Sequence, residues 1–143
     1  MAARILHEDA LSATPTGCGV RIALPWIRSL PLHCVVGLSL AIDDSADPAV
    51  EVSLGNRRCT PAALSSEPGW WYLQDRLLVL SRRTLSPGVH TVSVSLDLMV
   101  PHLASGPTGP LVLPMQEATD LVLDAPPHRH SVHRDVEGSV SAR

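Results

Sequence analysis

Val92, Val94, Leu96, Leu98 and Val100 alternate with Thr91, Ser93, Ser95 and Asp97 through the stretch VHTVSVSLDLMV, residues 89–100. A period of two over this length predicts a strand with one buried and one wet face. Pro87-Gly88 just before it is a turn signal. Shorter runs repeat the pattern. Val20, Ile22 and Leu24 alternate with Arg21 and Ala23, and Val50, Val52 and Leu54 with Glu51 and Ser53. Val36, Leu38, Leu40 and Ile42 are expected on one face, with Gly37, Ser39 and Ala41 on the other. LLVL, Leu77 to Leu80, reads as a strand buried on both sides. The runs end in turn chemistry, DDSADP at 43–48 and GN at 55–56, and GNRR predicts a hairpin tip with a short return at Arg58-Cys59.

Helical signal is confined to TPAALSS, where Thr60 caps a single turn and Pro61 takes its first position. Short strands between turns predict an all-β fold, an antiparallel β-sandwich or barrel-like sandwich of about eight strands with little helix. Residues 1–124 form one domain on this reading, with LVLP and TDLVLD supplying one or two closing strands. From Ala125 onward no apolar period remains, and 125–143 is expected to be a disordered tail.

Composition narrows the function. Only 17% of the 143 residues are charged, below the usual share of about a quarter. All 11 basic residues are arginine, and phenylalanine is absent. Codon bias explains this, and so does a surface used for protein contact, where arginine is enriched over lysine. A net charge of −3 without a basic stripe gives no footprint for nucleic acid. No membrane span and no signal-like apolar run is seen, and Cys18, Cys34 and Cys59 lack metal-like spacing. Free thiols in a reducing, cytoplasmic setting are the expectation.

Chemistry-bearing residues are scattered. No nucleophile elbow, P-loop or zinc-protease motif is present. Asp43 and Asp44 read as turn residues, and His33, His90 and His102 as isolated structural or surface residues. His128, His130 and His133 have the spacing of a weak metal site, but a solvated tail accounts for them better. No catalytic residue and no metal ligand is therefore assigned to this chain.

The aromatics stand out. LPWIRSLPLHC holds Trp26 and Arg28 on a loop between Pro25 and Pro31, where a central strand cannot pass. GWWY sets Trp70 and Trp71 side by side, so one points inward and the other outward if the segment is extended. Trp26, Arg28, Leu30, Trp70 and Trp71 are the candidate partner-binding residues, because Trp and Arg dominate interface hot spots and a stiff loop loses little entropy on docking. The alternative is that Trp26 tucks into its own domain.

GVRIALPWIRSLPLHCVVGLSLAIDD, GNRRCTPAAL, GWWYLQDRLLVL and LSPGVHTVSVSLDLMVPHL, in this order, resemble the beta subunit of bacterial C-glycoside deglycosidases. The match runs from Gly17 to His102. The resemblance implies a small β-sandwich that binds a catalytic alpha subunit, a TIM barrel similar to sugar isomerases, in a hetero-oligomer. That partner would carry a divalent metal, expected to be Mn2+, and the acid/base residues. The complex would cleave the carbon–carbon bond of 3-keto C-glycosides by elimination, a lyase-type reaction of carbohydrate metabolism. Two other readings stand beside it, a stand-alone carbohydrate- or ligand-binding β-sandwich with Trp70 or Trp71 as a stacking platform, and an unrelated structural or assembly domain.

Overall fold

The computed structural model describes residues 4–104, 110–126 and 134–135, the backbone alone at 101–104, 110 and 134–135. The strands are β1 (Leu11–Thr14), β2 (Gly17–Ala23), β3 (Leu30–Pro31), β4 (Val35–Ile42), β5 (Ser45–Ala46), β6 (Glu51–Ser53), β7 (Arg58–Cys59), β8 (Trp70–Trp71), β9 (Asp75–Ser81), β10 (Val89–Ala104), β11 (Pro110–Val122) and β12 (Arg134–Asp135). This exceeds the expected number because β3, β5, β7, β8 and β12 are two-residue pairings too short to leave a periodic trace. The fold is an all-β sandwich. One sheet runs β1-β2-β9-β6-β7, with β12 parallel to β9. The facing sheet runs β11-β10-β4-β5, and β3 and β8 form a separate ladder.

Both large sheets contribute to one core. Val20, Ile22, Val52, Leu77 and Val79 come from the first, and Leu38, Leu40, Ile42, Val92, Val94, Leu96 and Leu98 from the second. Burying each such side chain contributes roughly 1.5–3 kcal/mol before entropy. β9 is central, paired with β2 on one side and β6 on the other, which is why Leu77, Leu78 and Val79 are all buried. The hairpin from Val52–Ser53 to Arg58–Cys59 lies where GNRR placed it. Thr60 caps Pro61–Ser66, its Oγ1 accepting from Ala63 N–H at 3.3 Å, although the element is a short 3-10 helix. The two apolar runs near the end of the domain are one strand, β11, which carries Pro110 and Pro114 on the outside of its sheet. Proline is tolerated on such an edge.

The face assigned to Val36 needs correction. Ser39 lies opposite Ser95, while Val36 lies opposite Asp97, so β4 holds one residue more than β10 between these pairs. Gly37 absorbs the extra residue at φ 66, in the left-handed region that glycine enters without penalty. The bulge turns Val35 inward and leaves Val36 42% exposed. Strict alternation cannot anticipate a slipped register.

The N-terminal segment closes the side of the sandwich between β2 and β11. Ile5 and Leu6 are buried, and their N–H groups donate to Glu117 Oε1 and Oε2 at 2.9 and 3.0 Å. Ala23 N–H donates to Ile5 O at 2.9 Å. Further on, Ala13 N–H donates to Asp124 Oδ1 and Asp124 N–H to Leu11 O, both at 2.9 Å. An ion pair of 2.8 Å between Asp9 and Arg76, both almost fully enclosed, fixes the same segment to β9. These side-chain bonds link the edges of two sheets that share no backbone ladder, giving the sandwich its barrel-like closure.

Of the tail, Ala125, Pro126 and the backbone of Arg134–Asp135 are described, the latter pairing with Asp75–Arg76 on β9. The remainder of the expected disordered tail, with His128, His130 and His133, lies outside the described residues.

Glycine substitutions test the packing at the start of β2. A Cβ on Gly17 would sit 2.2 Å from Ser81 O and 2.7 Å from the Arg82 backbone, whereas one on Gly55 meets nothing within 4 Å. Gly17→Ala is expected to cost on the order of 3 kcal/mol or more in a denaturant melt. Gly55→Ala, strained only by its φ of 78, should cost about 1 kcal/mol.

Candidate partner-docking end

The proline-bounded loop and the tryptophan pair, far apart in sequence, are neighbours in space. β3 and β8 pair antiparallel, setting Leu30 opposite Trp71 and Pro31 opposite Trp70. Leu32 N–H donates to Gly69 O at 3.0 Å, extending this short ladder by one bond. Ser29 Oγ accepts from Leu73 N–H at 2.6 Å, closing the other end. Pro25 and Pro31 stiffen the loop, and Tyr72 O accepts from Asp75 N–H at 2.9 Å to tighten the turn after β8. Loop and turn are thereby held as one unit.

Alternation along β8 separates the adjacent tryptophans, as an extended backbone requires. Trp71 is 1% exposed and donates its indole N–H to Asp75 O at 3.1 Å, so the buried ring has no unmet donor. Trp70 is 50% exposed. Tyr72 and Leu73, which follow the pair, are exposed too, and so is Ile27 on the loop before β3, at 74%. Arg28 is exposed beside Ile27 and makes no ion pair among the described residues.

Leu30 and Trp71 lie in the core, so in this conformation they support the surface without forming it. Trp26 is half-buried and packs on the core, and its indole N–H is enclosed without a hydrogen-bond partner among the described residues. The apolar side chain that this loop exposes is Ile27. Ile27, Tyr72 and Leu73 were not singled out in the sequence. Their neighbours in the motifs were noticed, but which residues of a loop point outward depends on the β3–β8 pairing.

Among the described residues no three His, Cys, Asp or Glu side chains converge as a metal-holding group. Cys18, Cys34 and Cys59 are unpaired, and burial pushes all three thiols up, away from the reactive thiolate. Among the described residues no helix is long and apolar enough to cross a membrane.

An exposed aromatic cluster on a rigid ladder at one end of a small sandwich is what comparison with characterised proteins has to explain. No protein-family model matches the chain. It is 36% identical over 104 residues to a 3'-dehydrocarminate deglycosidase beta subunit from a Microbacterium species, covering 70% of this chain and 79% of the other. The chain belongs to the family of C-glycoside deglycosidase beta subunits. The C-glycoside deglycosidase beta subunit of Arthrobacter globiformis is 28% identical over 108 residues, 72% of this chain and 82% of its own. That of Microbacterium trichothecenolyticum is 27% identical over 104 residues, 70% and 79%. The exposed aromatic end thus sits on a member of a family whose relatives are named as one component of an enzyme.

Adjacent tryptophans with opposite exposure give opposite expectations. Trp71→Ala should lower folding stability by about 3–5 kcal/mol, the usual cost of emptying a buried aromatic site. Trp70→Ala should change it by roughly 0.5 kcal/mol or less. Thermal or denaturant melts of the two variants check this.

Proposed function

We propose that this chain is the non-catalytic subunit of a C-glycoside deglycosidase and docks on its catalytic partner through the end built from β3, β8 and the Trp26–Ser29 loop. The observation that carries the reading is Trp70, half exposed on a ladder whose other tryptophan is buried, with Tyr72 exposed two residues on. Single exposed apolar residues are ordinary, but exposed Trp70 and Tyr72 on a paired ladder, with an exposed arginine on the loop that leads into it, have the composition of an interface hot spot.

On this reading the partner is the alpha subunit that the family resemblance implies, a TIM barrel similar to sugar isomerases. It would hold a divalent metal, Mn2+, together with the acid/base residues. The reaction would start from a C-glycoside already oxidised at the sugar 3-position, in keeping with the 3'-dehydro substrate in the name of one relative. A ketone there acidifies the hydrogen on the adjacent carbon. A base removes that proton, the carbon–carbon bond to the aromatic aglycone breaks, and the aglycone leaves. Such an elimination is lyase chemistry. The three unpaired cysteines support a reducing, cytoplasmic setting.

A second reading rests on the same tryptophan. An exposed Trp70 with Tyr72 nearby is also a stacking face for a sugar or aromatic glycoside. The two separate in one titration series. Trp70→Ala should weaken association with the co-expressed alpha subunit by at least ~2 kcal/mol, about thirtyfold, with an unchanged melting curve. The unmutated chain alone should show no change in tryptophan fluorescence with added glycoside. Saturable quenching by glycoside, with association untouched by Trp70→Ala, would establish the stacking platform instead.

A further inference from the structure

The acidic turn after β4 and the histidine at the start of β10 meet in the structure. Asp43 and Asp44 form the two-residue loop between Ile42 and Ser45, with φ of 53 and 64, as a tight hairpin of this kind requires. Asp43 Oδ2 lies 2.7 Å from His90 Nδ1, and Ser86 O lies 2.6 Å from His90 Nε2. The ring is 7% exposed.

A carboxylate and a backbone carbonyl only accept hydrogen bonds. Neutral imidazole has one N–H and one lone pair, so either tautomer would aim a lone pair at an acceptor oxygen. The imidazolium alone satisfies both sides. Asp43 is not free to turn away. Its Oδ1 accepts from Thr91 N–H at 3.0 Å, and its own N–H donates to Thr91 O at 2.7 Å.

Other charges face the same corner. From the β9–β10 connection, Arg83 donates to Ile42 O at 3.2 Å and Ser45 O at 2.6 Å, and stands 3.8 Å from Asp47. Asp44 is exposed at the tip of the turn. From β11, Asp120 accepts from Thr91 Oγ1 at 2.7 Å, and the backbone partner of His90 there is the uncharged Leu121. Asp43 is thus the acid in direct contact with the ring.

We propose that His90 is a proton-operated latch, an imidazolium that ties the Asp43–Asp44 turn to the carbonyl of Ser86 and loosens that turn when it becomes neutral. Ser86 O and the Asp43 carboxylate hold the ring above the ordinary histidine value of 6.5. The His90 bond, then the Thr91 N–H, hold Asp43 below its ordinary value of 3.8. The signs follow. The histidine contribution is complete below pH 6.5 and is lost as pH rises through the folded value. The aspartate contribution is complete above pH 3.8 and is lost as pH falls through its own folded value. The latch is therefore closed in mildly acidic solution and opens on the alkaline side.

The test is a nitrogen-15 NMR titration of the full chain labelled at histidine, from about pH 5 to pH 9, with amide exchange followed at Asp43 and Thr91. The latch requires both ring nitrogens of His90 to remain protonated beyond pH 6.5. It also requires both amides to exchange faster, once the ring is neutral, than base catalysis alone explains. Asp43→Asn, which keeps the turn conformation accessible, should lower the ring midpoint toward the ordinary histidine value. A ring that titrates at or below the ordinary value overturns the proposal. So does a ring whose deprotonation leaves both amides protected. The titration of the unmutated chain decides alone if Asp43→Asn does not fold.

Discussion

Burial of Trp71 is the constraint on which the presenting end of the molecule depends. A large indole is buried at least cost where its N–H finds an acceptor and its backbone is paired. Asp75 O supplies the first and Leu30–Pro31 the second. Once Trp71 is inside, period two forces Trp70 out. Pairing with Pro31 then fixes Trp70 on the β3–β8 ladder, and the Ser29–Leu73 bond ties the loop before β3 to the turn after β8. The surface is not a mobile loop that happens to carry aromatics. It is the reverse side of a core contact.

A related logic governs the few charges. Loops rich in proline offer fewer backbone donors, so side chains join elements that no ladder joins. Glu117 accepts the N–H groups of Ile5 and Leu6, and Asp124 that of Ala13. Arg83 reaches the carbonyls of Ile42, Ser45 and Ala46 around the acidic turn. Arg57 makes a two-pronged contact with Glu67, joining the tip of the β6–β7 hairpin to the end of the following 3-10 helix. A planar guanidinium with several donors suits such bridging better than an ammonium. In a chain with so little charge, much of it acts as structural cross-linking.

These bridges mark the boundary of what was legible in the sequence. β10 could be read outright, because Val92 to Val100 carry an unbroken period of two. So could the double burial of LLVL, the GNRR hairpin and the Thr60 cap, which depend only on adjacent residues. The opposite facing of Trp70 and Trp71 was legible too, though not which of them would be inside. The slip at Gly37 was not, since glycine in a strand permits a bulge without demanding one. Nor was His90 distinguishable from a surface histidine, because its partner lies 47 positions away in Asp43. Ile5 and Leu6 near the start are buried, their N–H groups held by the Glu117 carboxylate on a strand more than a hundred positions later. Local pattern specifies elements, and long-range side-chain bonds specify how they close.

The same distinction bears on how a small sandwich serves a larger enzyme. An interface must expose apolar surface in the free chain, and exposed apolar surface normally invites collapse or nonspecific contact. Here the aromatic side chains belong to a segment whose neighbours are sunk in the core, so inward collapse of Trp70 would require Trp71 to leave. The loss of Trp71 burial, about 3–5 kcal/mol, exceeds what Trp70 could regain at a half-exposed site. The surface therefore stays outward without a partner present, and on the docking reading the binding step meets a rigid surface whose ordering entropy was settled when the domain folded.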